Sequence, residues 1–151
     1  MIFLASDHAG FEFKNTLYNY LKEQGLDVED VGPFGYDKDD DYPDFIYPCA
    51  VKVVSVLGNR GIIIGHSGQG EAMVANKVRG ARAAVFTGGD LEIVKLSRQH
   101  NDANMLSIGA HFVDQALAKQ AVDIWLQTAF EAGRHQRRLD KIKQIEQEIY
   151  K

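Results

Sequence analysis

The chain has 151 residues, 45% of them apolar and 25% charged, with a formal net charge of −4 at pH 7. These totals fit one domain able to bury a sizeable core, and the acidic balance argues against broad nucleic-acid binding. A single cysteine, Cys49, excludes an internal disulfide, and no apolar run reaches the length of a membrane span. The amino terminus opens straight into a strand-like run, without the basic and apolar stretches of a signal peptide, so a cytoplasmic protein is expected.

Ile2-Phe3-Leu4-Ala5 is wholly apolar, the pattern of a strand covered on both faces, and Ser6-Asp7-His8-Ala9-Gly10 follows at its carboxyl end. Phe13, Leu17, Tyr20 and Leu21 recur at helical spacing, and Gly25 is a helix stop. Leu26 to Val31 alternates apolar and acidic residues, as a half-exposed edge strand does. The aspartate-rich run from Gly35 to Asp41 reads as a solvated loop rather than a metal site. Tyr42-Pro43-Asp44 starts a helix with Ile46, Ala50, Val54 and Leu57 on one face, in which Pro48 is tolerable only near the first turn. Gly61 to Ile64 is a third strand, Arg82 to Phe86 a fourth and Met105 to Ile108 a fifth, with a helix from Leu91 to Gln99 before the last. Asp114 caps a helix burying Leu117, Ala121, Val122 and Trp125; after Gly133 a basic helix carries Leu139, Ile142, Ile145 and Ile149 on one side. Alternating strands and helices predict a three-layer α/β/α, Rossmann-like fold on a five-stranded parallel sheet, with residues 1–151 as one domain. Ligands of such folds gather beyond the carboxyl ends of the strands, where strand order reverses.

The third strand runs into Gly65-His66-Ser67-Gly68-Gln69-Gly70-Glu71, a glycine-rich turn opening a helix. Three familiar motifs nearly fit. A phosphate-binding P-loop would need lysine where Glu71 stands, a dinucleotide fingerprint a third glycine at Met73, and a nucleophile elbow a glycine at Gln69. A carboxylate in place of a phosphate-grasping cation suggests proton transfer beside an oxyanion site; an ordinary strand-to-helix turn with a dipole-favoured glutamate is the alternative. Asp7 and His8 end strand one, so if strands one and three are neighbours the two turns share a crevice. His8 suits an anion or a helix cap equally. His100, in the polar run Ser97 to Asn104, has the intrinsic pKa of an acid–base group, although such a loop can also bond its own backbone. Arg134 and Arg138 lie four apart on one helical face, a plausible phosphate clamp or a solvated basic patch.

Ser6 to Gly10, Tyr42-Pro43-Asp44, Gly65 to Glu71 with Ala75-Asn76-Lys77, Ser97 to Asn104 and Gly133-Arg134-His135 occur in register. With these five motifs the chain resembles the ribose-5-phosphate isomerase B family, which also holds allose-6-phosphate and galactose-6-phosphate isomerases. The resemblance implies aldose–ketose isomerisation of a sugar phosphate through an enediol(ate), without metal or organic cofactor. One branch of the family uses a cysteine base at the position of Gly65; the other has a glutamate where this chain has Glu71, which makes Glu71 the implied base and Cys49 a packing residue. Ser67 and the amides around Gly68 and Gly70 would hold the enediolate oxygen. Asp7 and His100 look like the ring-opening pair, with Asn101 on the sugar hydroxyls. His8, Arg134 and Arg138 look like phosphate ligands, with His135 assisting. Family sites lie between subunits of a dimer or tetramer, and the helix over 134–151 is a reasonable interface element.

Two residues depart from the family pattern. His66 replaces a small residue, and His111 stands where many members have an arginine believed to help bind phosphate; together they leave the choice between a pentose and a hexose 6-phosphate open. A non-catalytic sugar-phosphate sensor is a third reading, which the presence of Glu71, His100 and Asp7 disfavours. A serine hydrolase using Ser67 and His100 is remote, because the elbow spacing is wrong.

Overall fold

Side-chain alternation along three apolar strands decides the architecture. The structure, a computed structural model, describes residues 1–151. In β1 (Ile2–Ser6), Ile2 and Leu4 enter one core cluster and Phe3 and Ala5 another; β3 (Arg60–Gly65) divides Ile62 and Ile64 from Ile63 in the same way. In β5 (Met105–Gly109), Leu106 and Ile108 join the first cluster and Met105 the second. Strands buried on both faces need helices on both sides. Phe13, Leu17 and Leu21 of α1 (Phe11–Glu23), Val94 of α4 (Glu92–Gln99) and the Ala118, Ala121, Val122 and Trp125 face of α5 (Gln115–Gln127) cover one side. Ile46, Cys49, Ala50 and Val53 of α2 (Pro43–Ser55) and Ala75 of α3 (Gln69–Ala75) cover the other.

The sheet is parallel throughout, in the order β2-β1-β3-β5-β4, with β2 (Val28–Gly32) and β4 (Ala83–Phe86) at the edges. Chain progression reverses between β1 and β3, which pair directly with Ser6 opposite Ile64. The turns after these two strands therefore flank one crevice at the switch point.

Three local expectations change. The buried face of α2 is completed by Cys49 and Val53; the helix ends at Ser55, Val56 is extended, and Leu57 falls outside it, fully exposed. Pro48 lies beyond the first turn, inside α2, where its missing amide leaves the Asp44 carbonyl without its helical partner. On α5, Ala118 rather than Leu117 is fully buried, while Asp114 caps the helix as expected, accepting from the Leu117 amide at 2.7 Å.

The last helix, α6 (Arg134–Ile149), is tied at its far end by the Tyr150 hydroxyl donating to the Lys77 carbonyl (2.7 Å) and by the Gly80 amide donating to Glu146 (3.1 Å). Its Ile142, Ile145 and Ile149 remain exposed beside the unpaired edge strand β4. No helix is long and apolar enough to cross a membrane.

Candidate active site

The turn after β3 is shaped by two glycines for two reasons. Gly68 takes φ +78° to start α3, a conformation that costs other residues strain, and its carbonyl is pinned by the buried Ser107 hydroxyl of β5 at 2.6 Å. Gly65 is needed for room: a Cβ there would overlap the Glu71 carboxylate, with Oε2 at 2.7 Å. Glu71 thus folds back from the first turn of α3 over the end of β3, with only 4% of its surface exposed. Burial pushes its pKa above the ordinary carboxylate value and the negative charge of Asp7 adds to this; its own main-chain N–H and the charge of His66 work the other way. The acid lies in the crevice with Asp7 for a neighbour. Such a setting suits a group that must exchange a proton near neutral pH.

Around Glu71, Ser67 Oγ accepts from the Gln69 amide at 3.2 Å, which leaves its own O–H free to donate. The amides that open α3 have no carbonyl partner one turn earlier and are the natural donors for an oxyanion. The Tyr42 ring lies against Gly70, close enough that a Cβ there would stand 2.6 Å from its hydroxyl oxygen. Tyr42 is therefore a wall of the site, a role the sequence reading did not give it, since Tyr42-Pro43-Asp44 served there as a helix start and as one of the five motifs.

Asp7 spends Oδ1 on capping a short 3-10 turn (His8–Gly10), accepting from the amides of Ala9 (2.9 Å) and Gly10 (3.3 Å). His8 is held by Asp40, whose Oδ1 accepts from the His8 main-chain N–H at 2.9 Å and from Nδ1 at 2.6 Å. The acidic loop is thus not solvated throughout: the Asp40 side chain is 7% exposed and faces inward.

The two departures from the family pattern touch each other. The rings of His66 and His111 stack at 4.4 Å, and Phe112 meets both edge-on at 6.1 and 5.0 Å. Main-chain bonds from Ala110 to Gly65 and from His111 to His66, 2.8 and 3.1 Å, extend the β3–β5 pairing and bring the rings together.

The remaining predicted residues form a second group elsewhere. His100 caps the carboxyl end of α4, before β5 begins, and its ring stacks on His135 at 4.1 Å. Arg138 Nη1 stands 3.4 Å from His135 Nδ1; arginine only donates, so Nδ1 is the acceptor and the ring proton sits on Nε2. Burial, then the charges of His100, Arg134 and Arg138, lowers the pKa of His135 and keeps it neutral. His100, Asn101, Arg134, His135 and Arg138 lie at the amino edge of the sheet, whereas Asp7, His8, Ser67 and Glu71 lie at the carboxyl edge. A five-residue strand separates the groups by roughly 16 Å, so one chain does not bring Asp7 and His100 together.

Two sets of potential metal ligands have atoms within 4.8 Å of one another, Asp7–His8–Asp40 and His100–Glu131–His135. In the first set Asp7 Oδ1, His8 Nδ1 and Asp40 Oδ1 are engaged in hydrogen bonds, and arginine neighbours make the second set a poor cation site. Cys49 is fully buried in α2 and burial pushes its thiol pKa far up, so no reactive thiolate is available. Iodoacetamide at neutral pH is accordingly expected to leave activity intact over hours; rapid loss, with Cys49 alkylated by mass spectrometry, would contradict this placement.

Fold and site together define a doubly wound α/β protein whose switch-point crevice holds a buried carboxyl beside the main-chain amides that open α3. A family model described as Ribose/Galactose Isomerase matches residues 2–142. Ribose-5-phosphate isomerase B of Mycobacterium leprae is 41% identical over 146 residues, covering 96% of this chain and 89% of that protein. The crystal structure of ribose-5-phosphate isomerase B from Mycoplasma genitalium with bound ribulose-5-phosphate superposes with a TM-score of 0.93 at 42% identity, over 97% of this chain and 96% of that one. Ribose-5-phosphate isomerase B of Clostridium thermocellum gives a TM-score of 0.92 at 42% identity, covering 98% of both chains. The chain belongs to the ribose/galactose isomerase family. It is an aldose–ketose isomerase of sugar phosphates.

Proposed function

We propose that this chain interconverts ribose 5-phosphate and ribulose 5-phosphate, with Glu71 moving a proton between C2 and C1. The observation that carries the assignment is the Glu71 carboxyl buried above Gly65 at the strand crossover. The ribulose-5-phosphate bound by the Mycoplasma genitalium relative supports the choice of substrate. Glu71 takes the C2 proton of the open-chain aldose and the former C1 carbonyl oxygen gathers the charge of the enediolate; that oxygen then receives the proton of the C2 hydroxyl, and the acid delivers its own proton to C1 as C2 becomes the carbonyl. Ser67 and the amides of Gly68 and Gly70 are the donors for that oxygen, fixed before the charge develops. The reaction draws on no metal or organic cofactor.

A second copy completes the site. Asp7 and His100 of the partner subunit open the furanose, Asn101 of the partner subunit holds sugar hydroxyls, and the phosphate lies among His8 and the Arg134, His135 and Arg138 set. The sheet-height separation of the two groups within one chain supports this sharing, and the uncovered isoleucine stripe of α6 supports an interface along residues 134–151. Phosphorylated sugars are charged metabolites retained within cells, so the substrate class carries a cytoplasmic setting with it.

Subunit mixing tests the assignment. Glu71→Gln and His100→Ala proteins should each be nearly inactive, yet unfolding and refolding them together should restore about a quarter of the parent activity. Random pairing makes half the dimers mixed, each with one intact site of two. No recovery in a mixture shown by mass spectrometry to contain mixed dimers would refute the shared site. Parent protein that turns over allose 6-phosphate or galactose 6-phosphate, but not ribose 5-phosphate, would refute the substrate.

A further inference from the structure

The acidic run after β2 contains one residue that its composition does not explain. Lys14, buried on α1, fixes the root of this loop by donating to both carboxylate oxygens of Asp30 (2.7 and 2.9 Å) and to the Pro33 carbonyl (2.6 Å). Further along, Asp37 accepts from the Asp39 amide through its side chain (3.0 Å) and from the Asp40 amide through its carbonyl (3.2 Å), which reverses the chain. The reversal turns Asp40 inward while Asp37, Lys38, Asp39 and Asp41 stay exposed.

Asp40 Oδ1 accepts two hydrogen bonds from one residue, from the main-chain N–H and from Nδ1–H of His8. A carboxylate only accepts, so Nδ1 carries a proton and Nε2 is the ring nitrogen left to meet a ligand. The main-chain bond fixes where the 3-10 turn starts and the ring bond fixes the imidazole plane. Oδ2 of the same carboxylate is buried without a partner. Asparagine would offer the same Oδ1 acceptor without burying a charge, so an unpaired carboxylate oxygen at this place calls for a use of the charge itself.

The geometry points to Asp40 as the positioning residue that aims His8 Nε2 at the substrate phosphate and keeps the ring in its cationic form. This rests on the reading of His8 as a phosphate contact. The groups facing His8 all favour the cation: Asp40 foremost, then Asp7 and Asp37, with the Tyr36 ring edge-on at 6.3 Å. The His8 pKa is raised accordingly, chiefly by the hydrogen bond to Asp40.

The test compares the parent with Asp40→Asn and Asp40→Ala, reading kcat and KM for ribose 5-phosphate at pH 5.5 and 7.5 and following the His8 ring by NMR titration. At pH 5.5 an ordinary imidazole is already protonated, so Asp40→Asn should bind nearly as well as the parent. At pH 7.5 its His8 has lost the proton, and KM should exceed that of the parent by roughly tenfold with kcat within about threefold. Asp40→Ala, which loses aim as well as charge, should raise KM at both pH values. The substrate phosphate titrates equally in all three proteins and cancels from the ratio. A KM ratio for Asp40→Asn that does not change with pH, or a His8 titration identical to the parent, would overturn the proposal. If the parent fails to turn over ribose 5-phosphate, the substrate assignment falls instead; the His8 titration and competing inorganic phosphate affinity still decide the role of Asp40.

Discussion

Glu71→Gln is expected to lower kcat for ribose 5-phosphate by about 10²–10⁴-fold, the usual contribution of a positioned base, with KM close to that of the parent. Glutamine keeps the length and planarity of the side chain and fits the same pocket above Gly65, so binding surfaces survive while the proton acceptor is lost. Solvent deuterium should cease to appear at C1 of the ketose and C2 of the aldose at a matching rate. The parent itself should lose kcat on acidification at a pH above the ordinary carboxylate range, because burial raises the Glu71 pKa and only the ionised form is a base. Stability should move oppositely. A carboxyl whose folded pKa is raised is fully compatible with the fold below its unfolded pKa and increasingly costly as pH rises through the folded value. The glutamine variant escapes that cost, so its thermal midpoint relative to the parent should rise between pH 4 and pH 8. Unchanged turnover would remove Glu71 from the mechanism; a parent–variant stability difference independent of pH would contradict its buried, shifted state.

Gly65→Ala is expected to reduce kcat by on the order of 100-fold, without touching a catalytic functional group. The added methyl claims the space occupied by the Glu71 carboxylate, which is the movable end of a flexible side chain, so the acid swings away while strand β3 and its pairing persist. Circular dichroism and thermal melting should stay close to the parent, and the loss should appear in turnover. Full activity would mean that the crowded position of the carboxylate is not the working one.

The same crowding gives a physical reason for the two branches of the family to which the sequence was compared. A side chain at position 65 and a carboxylate reaching back from position 71 compete for one volume, so the two cannot occupy it together. Glycine at 65 together with glutamate at 71 was legible as a pattern; the overlap between them was not, because it depends on how α3 leaves the strand.

Much of the sheet was readable because Ile2 to Ala5, Gly61 to Ile64 and Met105 to Ile108 are short, mostly apolar runs, too brief for a helix and of the kind a strand covered on both faces carries. The adjacency of β1 and β3 was a conditional reading that the observed strand order makes firm. Leu57 was misplaced because periodicity continues through a residue whether or not the helix does; Val56 turns extended and ends it. Asp40 was hidden among Asp37, Asp39 and Asp41, since composition assigns one character to a run and only the turn singles out the member facing inward. The contact between His66 and His111 was equally hidden, because register across β3 and β5, rather than spacing along the chain, brings them together.

Under the proposed sharing of sites between subunits, the placement of Glu71 and His100 at opposite edges of one sheet gives each polypeptide two half-sites and no whole one. A damaged copy then spoils turnover at one mouth of a mixed pair while its other half-site still serves its companion. A mixture of sound and damaged subunits would thus lose catalysis in proportion rather than all at once. The same proposal ties catalysis to abundance, since a subunit that meets no other would have nothing with which to close the ring-opening pair.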